Sequence, residues 1–298
     1  MSAHRWWARR ISLVVVSLVV VVGCWATVFG EHDIVATTTI VGDVVQQIVG
    51  DLAHVSILLP TDSDPHAFQP TPQDLVAVTR ADIVFANGAG LETELSTLLE
   101  NATGPVVALS DGLPLRTLAE EGEPDPHVWF DPTYVMVWTR RIAEALAELW
   151  PDEASAFIGN AAAYRERLAD LDLWIWQRTA EIPRSNRGVV ADHEVLAYFA
   201  VRYSFDLLGS LSPGFSPSAE PSARELAGIE QVIGVLDVPA IFVSSTVNPV
   251  LAEAVAADTG TRIVMLYTGS LTNADGPAAD YISLMRYDVE AIVGALTP

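Results

Sequence analysis

The pattern that most constrains this chain is an alternation of short apolar runs with amphipathic stretches, interrupted once by a long helical segment. Residues 33–40, 54–59, 81–86 and 106–109 read as strands before the interruption, and 188–191, 205–211, 240–243 and 262–266 after it. Between them, 42–49, 71–80, 91–100, 133–149, 194–203, 222–236, 248–259 and 278–295 read as helices. Thr71-Pro72-Gln73-Asp74 is a helix start, with a capping Thr, Pro at the first position and an acid in the first turn. Strand–helix alternation of this kind predicts a parallel sheet covered by helices. The segment 152–182, set off by Pro151 and ended by Pro183, would extend about 45 Å at 1.5 Å per residue. The expected fold is therefore α/β: two lobes, each a parallel sheet flanked by helices, joined by one long linking helix. The boundaries are 24–150 for the first lobe, 151–183 for the linking helix and 184–298 for the second lobe.

Residues 1–23 stand apart. Arg5, Arg9 and Arg10 precede an apolar run from Ile11 to Val22, which describes a signal peptide. The run is too short for a membrane span. Val21-Val22-Gly23-Cys24 resembles a bacterial lipobox, in which the cysteine becomes a lipidated N-terminus. Cys24 is the only cysteine, so neither an internal disulfide nor a thiolate metal site is available. The expected location is outside the cytoplasm, on the outer face of the cytoplasmic membrane or in the periplasm. Residues 1–23 hold three of the 16 basic residues and none of the 38 acidic ones, so a net charge of −22 becomes −25 without them. Such acidity disfavours nucleic acid and anionic lipid headgroups as partners.

Three of the six histidines follow an aspartate within two residues: Asp64-Pro65-His66, Asp125-Pro126-His127 and Asp192-His193. Neutral imidazole is a common ligand for zinc and other transition metals, and a neighbouring carboxylate can orient the ring. A single Asp-Pro-His is as readily a hydrogen-bonded polar turn. Two copies plus an Asp-His after an apolar strand weaken that reading and set one shared metal site beside it as the alternative. Each motif lies beyond the carboxyl end of an expected strand, where open α/β sheets bind ligands. A cleft between the lobes would then hold His66 and His127 from one side and His193 from the other.

From about residue 33 to its end the chain resembles the zinc/manganese-type solute-binding lipoproteins of bacterial metal ABC transporters. The matching segments include Val35-Ala36-Thr37-Thr38-Thr39-Ile40, Asp64-Pro65-His66 with Pro70-Thr71-Pro72, and Asn87-Gly88-Ala89-Gly90-Leu91-Glu92. Further matches are Asp125-Pro126-His127-Val128-Trp129-Phe130-Asp131-Pro132, Glu220-Pro221-Ser222 and Met285-Arg286-Tyr287. The resemblance implies one divalent metal ion in the cleft, an ABC transporter permease as partner, and His66, His127 and His193 as ligands. A histidine rather than a carboxylate at position 193 leans toward zinc, with manganese as the alternative. Two departures stand out. Gly269 occupies the position where such proteins usually supply an aspartate as fourth ligand, and Ser244 replaces a frequent acid. A water, Asp192, Asp275 or Glu220 would have to complete the site, with Glu220 expected mainly as a partner behind the ligands. Residues 111–126 also lack the histidine-rich loop of many zinc-binding relatives.

Competing readings are a zinc hydrolase, with an open water position and Glu194 as base, and an adhesin stabilised by metal. No HExxH motif supports the first. Trp129 and Phe130 are expected to wall the cleft, and Trp174 and Trp176 to serve as core or lobe contacts. The chain is expected to act as a monomer and not as an enzyme.

Overall fold

The structure is a computed structural model that describes residues 32–117 and 122–298. The leader and Cys24 lie outside the described residues. No helix among the described residues is long and apolar enough to cross a membrane.

The first part of the chain forms β1 (Ile34–Ala36), α1 (Thr39–Val49), β2 (Val55–Ile57), α2 (Pro72–Arg80), β3 (Ile83–Ala86), α3 (Ser96–Leu99), β4 (Val106–Ala108) and α4 (Pro132–Leu149). The linking helix is α5 (Ala154–Thr179). The rest forms β5 (Gly188–Ala191), α6 (Ala197–Tyr203), β6 (Asp206–Ser210), α7 (Ala223–Leu236), β7 (Ala240–Ser244), α8 (Val250–Thr259), β8 (Arg262–Leu266) and α9 (Tyr281–Leu296). Each lobe carries a parallel four-stranded sheet, ordered β2-β1-β3-β4 and β6-β5-β7-β8. The predicted α/β class, the two sheets and the long helix are all present.

The central strands β1, β3, β5 and β7 are buried on both faces, so they read as near-continuous apolar runs. Their period of two still sorts the side chains. Ile34, Ala36, Ile83 and Phe85 point into a cluster facing the other lobe, while Val35 and Val84 point outward against Val78, Leu95 and Leu98. In the second sheet Val189, Ala191, Ala240 and Phe242 face inward, and Val190, Ile241 and Val243 pack on Ile229, Ile233 and Val255. The inward cluster is continuous from one sheet to the other. The linking helix crosses it with Phe157, Ala161, Tyr164, Leu168, Leu171 and Ile175, spaced three and four apart. The two lobes therefore share one core.

Caps explain the helix boundaries. Thr71 and Asp74 form a reciprocal capping box, and so do Ser222 and Glu225. Asp131 caps α4 by accepting the Thr133 N–H at 2.9 Å. Some expected boundaries move. The run 33–40 is not all strand: the Thr38 hydroxyl accepts the Val41 N–H and starts α1 at Thr39 despite the β-branched residues. The expected helix 91–100 is a 3₁₀ turn, Thr93–Leu95, followed by the short α3. It starts late because the Glu92 carboxylate turns inward to accept Thr37 Oγ1, Asn87 N and Gly88 N. α6 starts at Ala197 rather than 194, because the Glu194 N–H donates to Gly214 O and the Val195 N–H to His193 O.

Asp288 of α9 is fully buried. Its Oδ1 accepts the Tyr267 N–H at 2.8 Å, and its Oδ2 has no hydrogen-bond partner among the described residues. Burial pushes this carboxyl up to about 8. The folded state thus holds a proton that the unfolded chain releases near pH 4, and Asp288 removes stability as pH rises from about 4 to 8. Asp288→Asn keeps the acceptor and cannot ionise. Its melting temperature at pH 8.5 is expected to exceed that of the unmodified chain by at least about 2–4 °C, a gain of 1 kcal/mol or more, with the gap shrinking toward pH 4. Thermal denaturation across that range checks this, and a gap that does not change with pH would show that Asp288 is ionised when folded.

Candidate metal centre

The loops after β2, β4, β5 and β8 leave the carboxyl ends of their strands on facing edges of the two sheets. They deliver His66, His127, His193 and Gly269 to one point. One ligand atom from each of the three histidines lies within 4.8 Å of the others. His66 Nε2 and His127 Nε2 are 3.1 Å apart. Ring centroids are separated by 5.2 Å (His66–His127), 5.8 Å (His66–His193) and 5.2 Å (His127–His193). His127 and His193 are buried, whereas His66 is half-buried.

The acids play unequal parts. Asp125 Oδ1 accepts both the backbone N–H and the Nδ1–H of His127, each at 2.9 Å. Asp192 Oδ1 does the same for His193, at 2.8 Å to N and 2.7 Å to Nδ1. Protonation at Nδ1 leaves the Nε2 lone pair of each ring pointing into the centre. Asp192 is itself held by the Ser244 N–H on Oδ2 at 2.8 Å. The second lobe's carboxylate at this site is thus Asp192, placed behind the ring. Asp64 differs from the expectation: its Oδ1 accepts the backbone N–H of His66 at 2.9 Å, so it shapes the turn rather than the ring.

Burial and the neighbouring imidazoles push His66 down to about 2. His127 is likewise held well below the ordinary histidine range, first by burial and then by His193. Both rings are neutral at pH 7, with lone pairs free for a cation. Burial raises the Asp125 carboxyl to about 7. Asp192 moves the other way, because hydrogen bonds from His193 and Ser244 outweigh its burial.

The enclosed chamber has a volume of about 10 Å³ and is lined by the three histidines with Asp64, Pro65, Trp129, Pro217 and the 246–247 and 268–269 segments. That is about the space of a single water molecule. Gly269 borders it closely: a Cβ there would lie 2.9 Å from Pro65 Cδ. Pro65 comes from the opposite lobe, so a glycine permits the lobes to approach this closely. Glu220 and Asp275 are both exposed, and neither lines the chamber.

Several long-range bonds that hold this centre together carry no local signal in the sequence. Trp129 Nε1–H donates to Thr268 O at 2.9 Å, and Tyr281 O–H donates to Trp129 O at 2.7 Å. Asn87 Nδ2–H donates to Pro126 O at 3.0 Å, beside His127. Tyr198 O–H donates to Asp125 O at 3.0 Å and accepts the Arg116 N–H. Arg202 of α6 forms a two-toothed pair with Asp172 of the linking helix at 2.8 and 2.6 Å, and reaches Asp131 at 3.3 Å. Trp129 lines the chamber as expected, whereas Phe130 is buried in the shared core. Trp176 packs edge-on against Tyr203 of the second lobe, and Arg286 lies over Trp174.

The sequence model of one family, described as zinc-uptake complex component A, periplasmic, matches residues 34–295. The chain is 31% identical to the manganese-binding lipoprotein MntA of Halalkalibacterium halodurans, over 96% of this chain and 97% of that protein. It is 30% identical to the iron-binding protein YfeA of Yersinia pestis, over 88% of this chain and 85% of that one. The solved periplasmic zinc-binding protein TroA of Treponema pallidum superposes with a TM-score of 0.85 at 27% identity, covering 90% of this chain and all of that one.

Trp129→Phe keeps an aromatic wall but leaves the Thr268 carbonyl without its donor. It is expected to lower stability by about 1–3 kcal/mol, the penalty of a buried unpaired polar group. Chemical denaturation checks this, and an unchanged midpoint would mean the cross-lobe bond contributes nothing.

Proposed function

We propose that this chain, which belongs to the family of the periplasmic zinc-uptake component A, captures one divalent transition metal ion on His66, His127 and His193, with zinc preferred over manganese. Relatives of this chain are named as metal ABC transporter substrate-binding lipoproteins, which supports a permease as partner and a site of action outside the cytoplasm. The ion is cargo, received here and handed on.

The observation that carries the reading is the convergence of three histidine ligand atoms within 4.8 Å, drawn from loops of both lobes. Its donor set supports zinc. Three imidazoles with no carboxylate among them suit zinc better than manganese, which favours oxygen. The relatives named above carry manganese, iron or zinc in their names, so the preference rests on these residues and not on likeness. A Cβ at position 269 would press on Pro65 at 2.9 Å, so an aspartate there would require the facing segments to shift apart, and a water is the natural fourth ligand of a tetrahedral ion. Glu220, exposed and away from the chamber, is not needed for that shell.

The chamber's size supports a carrier rather than a hydrolase. The space of about 10 Å³ between the rings matches an ion or a water and is far smaller than a substrate pocket. We further assign Cys24 as the lipid-bearing residue that tethers the monomeric receptor to the membrane.

Calorimetry on the metal-stripped chain tests the reading. Zinc is expected to bind one-to-one, and manganese at least about ten-fold more weakly. His193→Ala is expected to weaken zinc by about 100-fold, near 2.7 kcal/mol. Gly269→Asp is expected to lower the melting temperature without tightening manganese. Absence of zinc binding, or a His193→Ala variant that binds as the parent does, would remove the three-histidine assignment.

A further inference from the structure

The two sides of the histidine cluster are closed by different means. On one side the segment after β8 is stitched to the first lobe. Leu271 N–H donates to Thr39 Oγ1 at 2.9 Å and Asp62 N–H to Ser270 Oγ at 3.0 Å, in addition to the Trp129–Thr268 and Tyr281–Trp129 bonds. On the other side, residues 213–219 face the first lobe across an open cleft of about 540 Å³. The hydrogen bonds of this segment among the described residues run within its own lobe, from Glu194 N–H to Gly214 O and around Ser216.

His66 borders both the cleft and the enclosed chamber, whereas His127 and His193 border the chamber. The partition between the two spaces comes from the same unstitched segment: the Phe215 ring lies 6.2 Å from the His127 ring, and Pro217 lines the chamber. Glu94 and Glu123 line the outer cleft.

We infer that the metal ion enters and leaves through this cleft, with Phe215 as the gate and His66 as the first ligand it meets. This rests on the metal-receptor reading. Among the described residues, moving Phe215 aside breaks no hydrogen bond across the cleft, whereas opening the opposite side breaks several, so local opening favours the cleft. Phe215 touches no bond of the ion itself. Its removal therefore lowers the barrier in both directions and leaves the equilibrium almost unchanged. Glu94 and Glu123 raise the local cation concentration and act on the association rate.

Stopped-flow exchange of zinc on the full-length chain in mild detergent tests this, with a chelator drawing the ion out and calorimetry giving the affinity. Phe215→Ala is expected to speed association and dissociation alike, by about five-fold or more, while the affinity moves by less than about three-fold. Thr39→Val, on the stitched side, is expected to leave both rates within about two-fold. The Glu94→Gln, Glu123→Gln pair lies at the surface and serves even if Phe215→Ala folds poorly. It is expected to slow association by about three-fold at low salt, with the difference vanishing at high salt and dissociation unchanged. Intact zinc binding with unchanged rates in Phe215→Ala, with acceleration in Thr39→Val, or with unchanged association in the glutamine pair would overturn the route alone. Failure of the unmodified chain to bind zinc would overturn the receptor reading and the route with it.

Discussion

A single apolar cluster, running from the first sheet through the linking helix to the second, sets the distances on which everything else depends. Trp138, Leu168, Leu171, Phe242 and Met285 all belong to it and are almost fully buried. Interiors of this density resist deformation. The histidines come from loops 61 and 66 residues apart in sequence, yet their ligand atoms converge because the strands beneath them cannot slide independently. Two lobes with separate cores and a flexible linker would leave the same histidines free to separate. Here the shared core makes the cluster a property of the whole fold.

The polar network then converts proximity into readiness. Asp125 and Asp192 fix the tautomer of their rings, burial keeps His66 and His127 neutral, and Trp129 and Tyr281 tie the Gly269 segment to the His127 segment. No cation has to displace a proton from those two imidazoles, and the rings require little rearrangement to meet one. Pre-arranged ligands of this kind gain affinity by lowering the ordering needed on binding.

Much of this was legible from the amino acids. β5 and β8 fall on the predicted residues because short apolar runs bounded by turn-forming residues leave a clear signature. The start of α2 was carried by Thr71 and Pro72. The histidine cluster was visible because three acid–histidine motifs sat beyond strand ends. Other parts were not legible, for identifiable reasons. The run Thr37–Ile40 has β-branched side chains, and a capping hydroxyl overrode that preference. The turn of 91–95 depends on Glu92 folding back onto Asn87 and Thr37, which no periodicity reveals. The need for glycine at 269 comes from Pro65, more than 200 residues away in the chain. Trp129–Thr268 and Tyr198–Asp125 are likewise long-range bonds. The surrounding sequence showed only an aromatic residue, and the partner had to come from the fold.

The linking helix, finally, is a lever. Its 26 residues make a rod of about 39 Å at 1.5 Å per residue, so a tilt of only about 2° carries one end through more than 1 Å. Metal–ligand bonds tolerate deviations of about 0.2 Å. A docking partner that leans on the far end of such a rod need not pry the molecule open. On the three-histidine reading proposed above, it has only to pull His193 a fraction of a bond length from the other two rings to loosen the grip on the ion.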